Sequence, residues 1–241
     1  MTNRSNGGRT LPVIAIDGPG GSGKSTVARE LARRLGWRYL DSGAMYRALT
    51  VAVLDAGVDA ADSAAVAKLT ERTAVEVNTD PNDPWTDLDG LRVTERIRSR
   101  VVTNAVSAVS AVPAVRANLL TTQRSIVGRG AIVVEGRDIG TTVVPDAEVK
   151  VFLTAQPAAR AARRHRDGAG TDYADLTVTR DEIGRRDEMD ATRATSPLVK
   201  AADAIEIDTT SMSVEQVVAA ILQQCAPALG ASGDRGSQAD S

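Results

Sequence analysis

The sequence predicts an α/β protein in which a five-stranded parallel sheet is flanked by helices. Short apolar runs alternate with helical patterns along the chain, and this alternation is typical of βαβ units. Aromatic residues make up only 2% of the 241 residues, so the core has to be built from Ala, Val, Leu and Ile, which suits a buried parallel sheet. We expect one folded domain over residues 11–226, with disordered tails at 1–10 and 227–241 that lack periodicity.

Five apolar runs are the predicted strands, and a helical pattern follows each of the first four. The runs are Leu11–Asp17, Arg38–Asp41, Ala131–Glu135, Val149–Leu153 and Ala204–Asp208. A last helix is predicted from Ser213, because Gln216 stands three residues later and completes a capping box before an apolar helical face.

One stretch interrupts this alternation and predicts a small antiparallel insertion. Residues 73–100 contain a Val-Glu-Val run, two prolines that mark a loop, and Asp89-Gly90 between extended segments, which is a hairpin signal. A helical stretch rich in Ala, Val and Ser follows at 103–127, with a bend expected near Pro113. The whole insertion is expected to cover about residues 73–128.

Residues 18–25 read Gly-Pro-Gly-Gly-Ser-Gly-Lys-Ser, which is the pattern of a phosphate-binding loop (P-loop). Its glycines let the backbone curl around a phosphate and present N–H groups to it, at the N-terminus of the helix that follows. Lys24 can reach the β- and γ-phosphates, and the Ser25 hydroxyl can hold Mg²⁺. The sequence therefore predicts a nucleoside triphosphate site formed by Gly18, Gly20, Gly21, Ser22, Gly23, Lys24, Ser25 and Thr26.

Composition excludes several other classes of protein. A net charge of −2 argues against a general electrostatic grip on a nucleic acid polymer, and no apolar stretch approaches a membrane span in length. The lone Cys225 gives neither a disulfide nor a metal cluster, which fits a reducing compartment. We expect a cytoplasmic protein without a membrane partner and, in the absence of a coiled-coil pattern, a monomer.

Three further segments, 40–47, 134–138 and 185–193, carry arginines at the ends of predicted strands or on a helix face. In the third, Arg186, Asp190 and Arg193 stand at i, i+4 and i+7 and so share one helix face. Arginine presents a planar fork of donors that matches a phosphate and stays charged near neutral pH. The sequence therefore predicts a second phosphate site formed by Arg47, Arg137, Arg186 and Arg193.

Another basic cluster precedes the Gly-rich stretch at 167–170 and consists of Arg160, Arg163, Arg164 and Arg166. A glycine-rich turn between helical segments fits a mobile lid, which we expect over about residues 160–185. The single histidine, His165, falls in this cluster and is interpreted as an exposed residue without a catalytic role. A solvated helix face is the alternative interpretation for each individual arginine.

Taken together, these motifs resemble the bacterial cytidylate kinases (CMP/dCMP kinases) of the nucleoside monophosphate kinase superfamily. The resemblance runs from about Pro12 to Leu222 and is carried by IDGPGGSGKST, LDSGAMYR, EGRDIGT-VVPDA, RRDEMDATRATSPL and AADAIEIDT. It implies a P-loop kinase core with a β-rich NMP-binding insertion and a helical lid. It also implies that ATP and Mg²⁺ are used to phosphorylate the small-molecule substrates CMP and dCMP.

The resemblance also implies roles for individual residues. Recognition of cytosine is implied for Ser42, Ser107, Arg116 and Asp138, with Ser110 as an alternative to Ser107. Binding of the CMP phosphate is implied for Arg47, Arg137 and Arg193, and contact with the sugar hydroxyls for Arg186 and Asp190. Arg160 and Arg163 would lie on the ATP side, and catalysis would depend on Lys24, Arg137, Arg186 and Arg193.

Three other functions remain open on the sequence alone. The first is another P-loop kinase, of shikimate, adenylate or uridylate type. The second is a GTPase or an ATP-dependent switch, although the chain lacks the N-K-x-D motif by which a GTPase reads the guanine base. The third is a nucleotide sensor without catalysis. The preference among CMP, dCMP and UMP also remains open.

Overall fold

The computed structural model describes residues 11–167 and 176–233, with side chains described except at 167, 176–177 and 227–233. The strands among these residues are β1 Val13–Asp17, β2 Arg38–Asp41, β3 Val75–Val77, β4 Thr86–Leu88, β5 Leu91–Arg92, β6 Ile132–Gly136, β7 Val149–Thr154 and β8 Ile205–Asp208. The α-helices are α1 Lys24–Leu35, α2 Ser42–Asp55, α3 Ser63–Thr70, α4 Arg100–Ala111, α5 Pro113–Val127, α6 Pro157–Asp167, α7 Leu176–Thr192 and α8 Val214–Gly233.

The main sheet has five parallel strands in the order β2-β6-β1-β7-β8, which confirms the predicted fold class. The five predicted strands are all present, with ends shifted by no more than two residues. In the register of β1 and β6, Asp17 stands opposite Gly136. The carboxyl ends of β1, β2 and β6 therefore meet at one edge, where open α/β sheets bind their ligands.

Helices cover both faces of this sheet, because successive side chains of a buried strand point to opposite faces. Val13 and Ala15 pack in a cluster with residues of α2, α4 and α5, whereas Ile14 and Ile16 pack with residues of α1 and α8. Both clusters consist mainly of fully buried aliphatic side chains. Because the core covers both faces of the sheet, the polar segments that follow β1, β2 and β6 lie at its carboxyl edge.

The insertion is a three-stranded antiparallel sheet in the order β3-β4-β5. Asp89 and Gly90 turn the chain between β4 and β5 with positive φ values of 49° and 79°, as a tight two-residue hairpin requires. The predicted hairpin is therefore confirmed. Leu88 and Ile97 pack against α2 in a third apolar cluster, which attaches the insertion to the main domain.

The helical stretch after the insertion consists of two helices that meet at Val112. This residue is extended, with φ −69° and ψ 119°, and Pro113 occupies the first turn of α5. Proline is well tolerated there because its missing N–H would have no partner within the helix. The expected bend near Pro113 is thus a break between α4 and α5.

The C-terminal helix departs from the sequence prediction in its length. Ser213 and Gln216 form the predicted capping box, with Ser213 N donating to Gln216 Oε1 at 2.8 Å and Gln216 N donating to Ser213 Oγ at 3.3 Å. The helix then continues to Gly233, seven residues beyond the expected end of the folded domain at residue 226. The predicted tail at 1–10, the last residues from 234, and the centre of the predicted lid at 168–175 lie outside the described residues.

In the part of the chain that the structure describes, no helix combines the length and apolar character that crossing a membrane requires.

Candidate active site

The P-loop joins the carboxyl end of β1 to the first turn of α1. Gly18 has φ +148°, and a Cβ there would lie 2.1 Å from the carbonyl oxygen of Leu153 in β7, so a larger residue would collide with backbone. Gly23 has φ +90° and caps α1 in the left-handed conformation. Local backbone geometry therefore explains the glycines at these two positions.

Lys24 lies at the start of α1 and is folded back onto its own loop. Its Nζ donates to the carbonyl oxygen of Pro19 at 2.8 Å, and its side chain is buried. Burial, together with the nearby positive charge of Arg137, lowers the pKa of Lys24 from 10.5 to about 7, against opposing contributions from Glu135 and Asp17. An anion placed on this loop would raise that pKa again.

Ser25 faces a buried carboxylate that the sequence reasoning did not assign. Its Oγ donates to Glu135 Oε1 at 2.5 Å, and Tyr39 OH donates to the same oxygen at 3.2 Å. Burial and the charge of Asp41 raise the pKa of Glu135. Glu135 is the penultimate residue of β6, beside β1, and its position at the binding edge is the signal that could have found it.

The Ser25 hydroxyl and the Glu135 carboxylate together offer oxygen ligands that fit a hard cation such as Mg²⁺. Among the described residues, no group of three or more His, Cys, Asp or Glu side chains could hold a metal ion by itself. Such a donor set agrees with Mg²⁺ chemistry, since this ion is usually bound by one or two protein oxygens together with substrate phosphates and waters. The predicted metal contact, Ser25, therefore has a suitable environment.

Asp17, at the end of β1, fastens the segment that follows β6. Its two carboxylate oxygens accept hydrogen bonds from Ile139 N and Gly140 N, each at 2.8 Å. Burial raises the pKa of Asp17 to about 6, although both hydrogen bonds act in the opposite direction. This contact holds the backbone beyond Arg137 and Asp138 against the P-loop strand, and the sequence analysis did not anticipate it.

A cavity beside the P-loop brings together the complete set of predicted acceptor residues. It is lined by Ser42, Arg47, Ser107, Arg116, Arg137, Asp138, Arg186, Asp190 and Arg193, together with Gly20, Gly21, Lys24 and Ser25 of the loop. The acceptor residues come from α2, α4, α5, the segment after β6, and α7 with the residue that follows it. The structure thus places one polar cavity directly against the P-loop.

The N-terminus of α2 is set by Asp41, whose Oδ1 accepts a hydrogen bond from Ala44 N at 2.9 Å. This cap begins the helix so that Ser42 and Arg47 both line the cavity. Arg47 Nη1 donates to the carbonyl oxygen of Ile97 and to Thr103 Oγ1, each at 2.9 Å.

Thr103 Oγ1 also accepts a hydrogen bond from Arg164 Nη2 at 3.2 Å, so one hydroxyl holds two guanidinium groups side by side. Burial lowers the pKa of Arg47 well below its usual range, and the nearby charges of Arg186 and Arg164 lower it further. Positive groups gathered in this way require an anion between them. The sequence analysis placed Arg164 only in the basic lid cluster, and it gave Thr103 no role.

Two buried carboxylates orient the remaining arginines of the cavity. Asp190 pairs with Arg137 Nε at 3.0 Å and with Arg193 Nη1 at 3.8 Å. Asp138 pairs with Arg116, and also with Arg193 Nη2 at 3.5 Å. Guanidinium groups held in this way keep a fixed position while their other N–H groups are available to a ligand.

Two polar groups that line the cavity have no hydrogen-bond partner within the described part of the chain: Arg186 Nε and Ser107 Oγ. Burial, followed by the charge of Arg137, lowers the pKa of Arg186 to about 10. Ser110 Oγ instead donates to the carbonyl oxygen of Ser107 at 3.1 Å. Of the two alternative serines, Ser107 therefore has the hydroxyl group that is available to a ligand.

The structure places the two predicted lid arginines, Arg160 and Arg163, in different surroundings. Arg160 Nη1 donates to the carbonyl oxygen of Gly20 at 3.1 Å and pairs with Asp187. Arg163 Nη1 donates to Thr209 Oγ1 at 2.8 Å. It lines a second cavity together with Gly21, Ser22, Gly23, Thr26, Arg166, Thr209, Met212, Ser213, Val214, Val217 and Val27.

His165 differs from the sequence interpretation. It is half-buried rather than exposed, and its Nδ1 is buried without a hydrogen-bond partner in the described structure. The helix that carries it, α6, packs against α7. His165 does not line either of the two cavities described above.

Comparison with known proteins gives consistent results over most of the chain. The family model for cytidylate kinase matches residues 14–226. A cytidylate kinase of Pelotomaculum thermopropionicum is 51% identical over 215 residues, covering 88% of this chain and 95% of the relative. A cytidylate kinase of Mycobacterium leprae is also 51% identical over 215 residues, covering 87% of this chain and 93% of the relative.

Among solved structures, a shikimate kinase from Acinetobacter baumannii in complex with shikimate aligns with a TM-score of 0.45 and 20% identity, covering 90% of this chain and 94% of that one. The protein TT1252 from Thermus thermophilus aligns with a TM-score of 0.43 and 20% identity, covering 89% and 97%.

Proposed function

The chain belongs to the cytidylate kinase family, and we propose that its site transfers the γ-phosphoryl group of ATP to CMP or dCMP. One observation carries this proposal: a cavity lined by seven arginines opens directly onto the P-loop. An anion in the cavity would therefore lie beside the terminal phosphate of a triphosphate held by the loop. Transfer between two phosphates is the chemistry that such an arrangement supports.

On the donor side, the P-loop amides and Lys24 would bind the phosphates of ATP. The second cavity continues from Gly21 and Gly23 to the apolar side chains of Met212 and Val217, which can pack against the adenine ring. Arg163 lies at the junction, between the loop and Thr209. Mg²⁺ bound by Ser25 and the phosphates would neutralise charge on the phosphate oxygens.

On the acceptor side, the CMP phosphate would bind Arg47, Arg137 and Arg193. Arg137 lies close to the loop, since its Nη2 is 3.6 Å from the position of a Cβ built on Gly20. Arg164 shares Thr103 with Arg47, and we assign it as a further arginine of this phosphate site. A phosphate between these groups relieves the repulsion that lowers the pKa of Arg47.

The nucleoside would occupy the rest of the cavity. Arg186 and Asp190 are the groups assigned to the sugar hydroxyls, and the unpartnered Ser107 Oγ is a donor or acceptor for the base. Asp138, Arg116 and Ser42 complete a polar wall for cytosine. A base with the wrong donor pattern would leave these buried groups unpaired, which disfavours purines.

The reaction needs no strong general base. The attacking oxygen belongs to a phosphate that is already ionised near neutral pH, so it forms the new P–O bond without losing a proton to the protein. The bond between the γ-phosphorus and the bridging oxygen breaks, and ADP leaves with the electron pair. Lys24, Arg137, Arg186 and Arg193 would stabilise the charge that the transferring group spreads over its equatorial oxygens.

An acceptor screen tests this function directly. The enzyme is incubated with ATP and Mg²⁺, and ADP formation is measured with CMP, dCMP, UMP, AMP, GMP and shikimate. We expect strong turnover with CMP and dCMP, weak turnover with UMP and none with purines. Dominant turnover with AMP or shikimate would contradict the assigned base site. ATP binding without turnover on any acceptor would support a sensor instead.

Arg137→Ala separates the two sides of the site in the same assay. We expect this substitution to impair chiefly the use of the monophosphate. A selective loss of ATP affinity would place Arg137 on the donor side and contradict its assignment.

A further inference from the structure

Asp187 on α7 makes a contact that the proposed reaction does not use. One of its carboxylate oxygens, Oδ1, accepts a hydrogen bond from the backbone N of Gly20 at 3.2 Å. The other, Oδ2, pairs with Arg160, whose Nη1 also donates to the carbonyl oxygen of Gly20 at 3.1 Å. An acidic side chain is therefore bound directly to the P-loop.

The position of this carboxylate coincides with the place where a phosphate is expected. Gly20 is the third residue of the P-loop, whose backbone N–H groups serve to bind phosphate oxygens. Arg137 approaches the same glycine, and the charge of Asp187 raises the pKa of both Lys24 and Arg137. The Asp187 carboxylate thus lies among the cations that are assigned to the triphosphate and to the phosphate that accepts its terminal group.

Arg160 provides a second, independent sign that this place receives a larger anion. Arg160 is only 8% exposed, and its Nε has no hydrogen-bond partner in the described structure. A buried guanidinium N–H without a partner is costly. The single carboxylate of Asp187 therefore satisfies only part of the donors that surround it, whereas a polyphosphate offers several more oxygens.

We propose that Asp187 is an internal substitute for a phosphate: it holds Gly20 and Arg160 in place until the terminal phosphate of the nucleotide displaces it. The carboxylate and the phosphate cannot share one N–H group at normal contact distances, and their like charges repel. Binding of the nucleotide then requires the loss of the contact between Asp187 and Gly20. The apparent affinity is reduced by the fraction of molecules in which that contact is intact.

Linkage makes the proposal quantitative. A contact that stabilises only the ligand-free protein must weaken nucleotide binding by the same free energy. Replacing Asp187 with Asn keeps the shape and a weaker acceptor for Gly20 N, but removes the charge. We expect Asp187→Asn to unfold at a lower temperature than wild type without ligand, and to lose this deficit in saturating ADP.

The decisive measurement is calorimetric titration with ADP in the absence of any acceptor. We expect Asp187→Asn to bind ADP about fivefold more tightly or better than wild type, within the usual range of coupling between two sites. Glu188→Gln is the matched control: it removes the same charge from the adjacent, exposed position of α7, and we expect its ADP affinity to equal that of wild type.

Unchanged or weaker ADP binding in Asp187→Asn would overturn the proposal. A loss of kcat with unchanged ADP affinity would do so as well, because it would make Asp187 a positioning residue for Arg160 during transfer. The proposal rests on the proposed ATP site, but the titration contains no CMP. An enzyme that binds ADP as expected and fails to phosphorylate CMP would therefore refute the acceptor assignment and leave this inference standing.

Discussion

The P-loop and the acceptor cavity bind phosphate by different physical means. The P-loop is one continuous segment of eight residues, and its backbone N–H groups and left-handed glycines make the site. The acceptor cavity collects side chains from α2, α4, α5, α7 and the segment after β6, and two buried carboxylates orient its arginines. One site is formed by local backbone geometry, and the other by side chains distant in sequence.

This difference shows which groups stabilise the P-loop and which groups stabilise the acceptor cavity when no ligand is bound. The P-loop depends mainly on its own backbone: Lys24 bonds to Pro19 within the loop, and one outside carboxylate, Asp187, accepts a hydrogen bond from Gly20. The acceptor cavity cannot be stabilised by backbone alone. It depends on Asp138 and Asp190 to offset the repulsion among its arginines. Removing a carboxylate should therefore harm the acceptor cavity in stability as well as in binding.

The largest effect is expected for Asp138→Asn. This substitution removes the negative partner of Arg116 and Arg193, whose side chains are 7% and 5% exposed. Breaking a buried ion pair from one side typically destabilises a protein by about 3–5 kcal/mol. Urea denaturation should show a loss of this size, together with a higher KM for CMP.

Asp55→Asn is the matched control, since Asp55 pairs with Arg96 at the surface and both side chains are about half exposed. Its unfolding free energy should stay near that of wild type. Equal, small losses in both variants would mean that the acceptor arginines do not need their carboxylate, and the contrast between the two sites would fail.

Lys24→Ala tests the P-loop by its chemistry rather than its stability. Loss of a donor to the transferring phosphoryl group costs about 2.7–4 kcal/mol, or 10²–10³ in rate. We expect a fall in kcat of at least this size with the fold retained, measured by steady-state kinetics and circular dichroism. The exposed Lys68→Ala serves as a control, and near-normal turnover in Lys24→Ala would remove Lys24 from the mechanism.

A proton is expected to enter the P-loop together with the nucleotide. The pKa of Lys24 is lowered to about 7 in the empty site, so at pH 8 this side chain is mostly neutral. Phosphate oxygens favour its charged form, and binding of ADP should take up most of a proton from solution. Calorimetry in two buffers of different ionisation enthalpy measures this uptake.

The same lowered pKa has a consequence for stability. Between pH 7 and 10.5 the unfolded chain holds a proton on Lys24 that the ligand-free folded protein does not, so this group makes stability rise with pH across that window. In Lys24→Met both the proton uptake and this contribution should vanish. Uptake that persists in the variant would assign the proton to another group.

The smallest effect is expected at the edge of the second cavity. Ser213→Ala removes the capping-box hydroxyl at the start of α8 and should reduce the free energy of unfolding by about 1 kcal/mol, which thermal or urea unfolding can resolve. The KM for ATP should change little, because the donor phosphates are bound by backbone groups. A large rise in KM would show that the donor side also depends on distant side chains.

Much of the fold was open to prediction from local patterns. The five parallel strands, the Asp89-Gly90 hairpin and the capping box at Ser213 each depend on residues close together in sequence, and each is confirmed. The length of α8 was underestimated, because its last turns lack the strong apolar periodicity that was used to recognise a helix. The roles of the site residues remain predictions, although the structure brings the acceptor residues to one cavity.

The sequence by itself determined the strand–helix alternation and the P-loop, because backbone conformation is set by neighbouring residues: glycines where φ is positive, and apolar residues at the period of a buried strand. Only the tertiary structure decided that Glu135 faces Ser25, that Thr103 joins Arg47 to Arg164, and that Asp187 lies on Gly20. Gly20 and Asp187 are 167 residues apart, and no local rule connects them. The packing of α7 against α6 and α4 brings Asp187 to the P-loop, and this contact contributes to the balance of charge in the site.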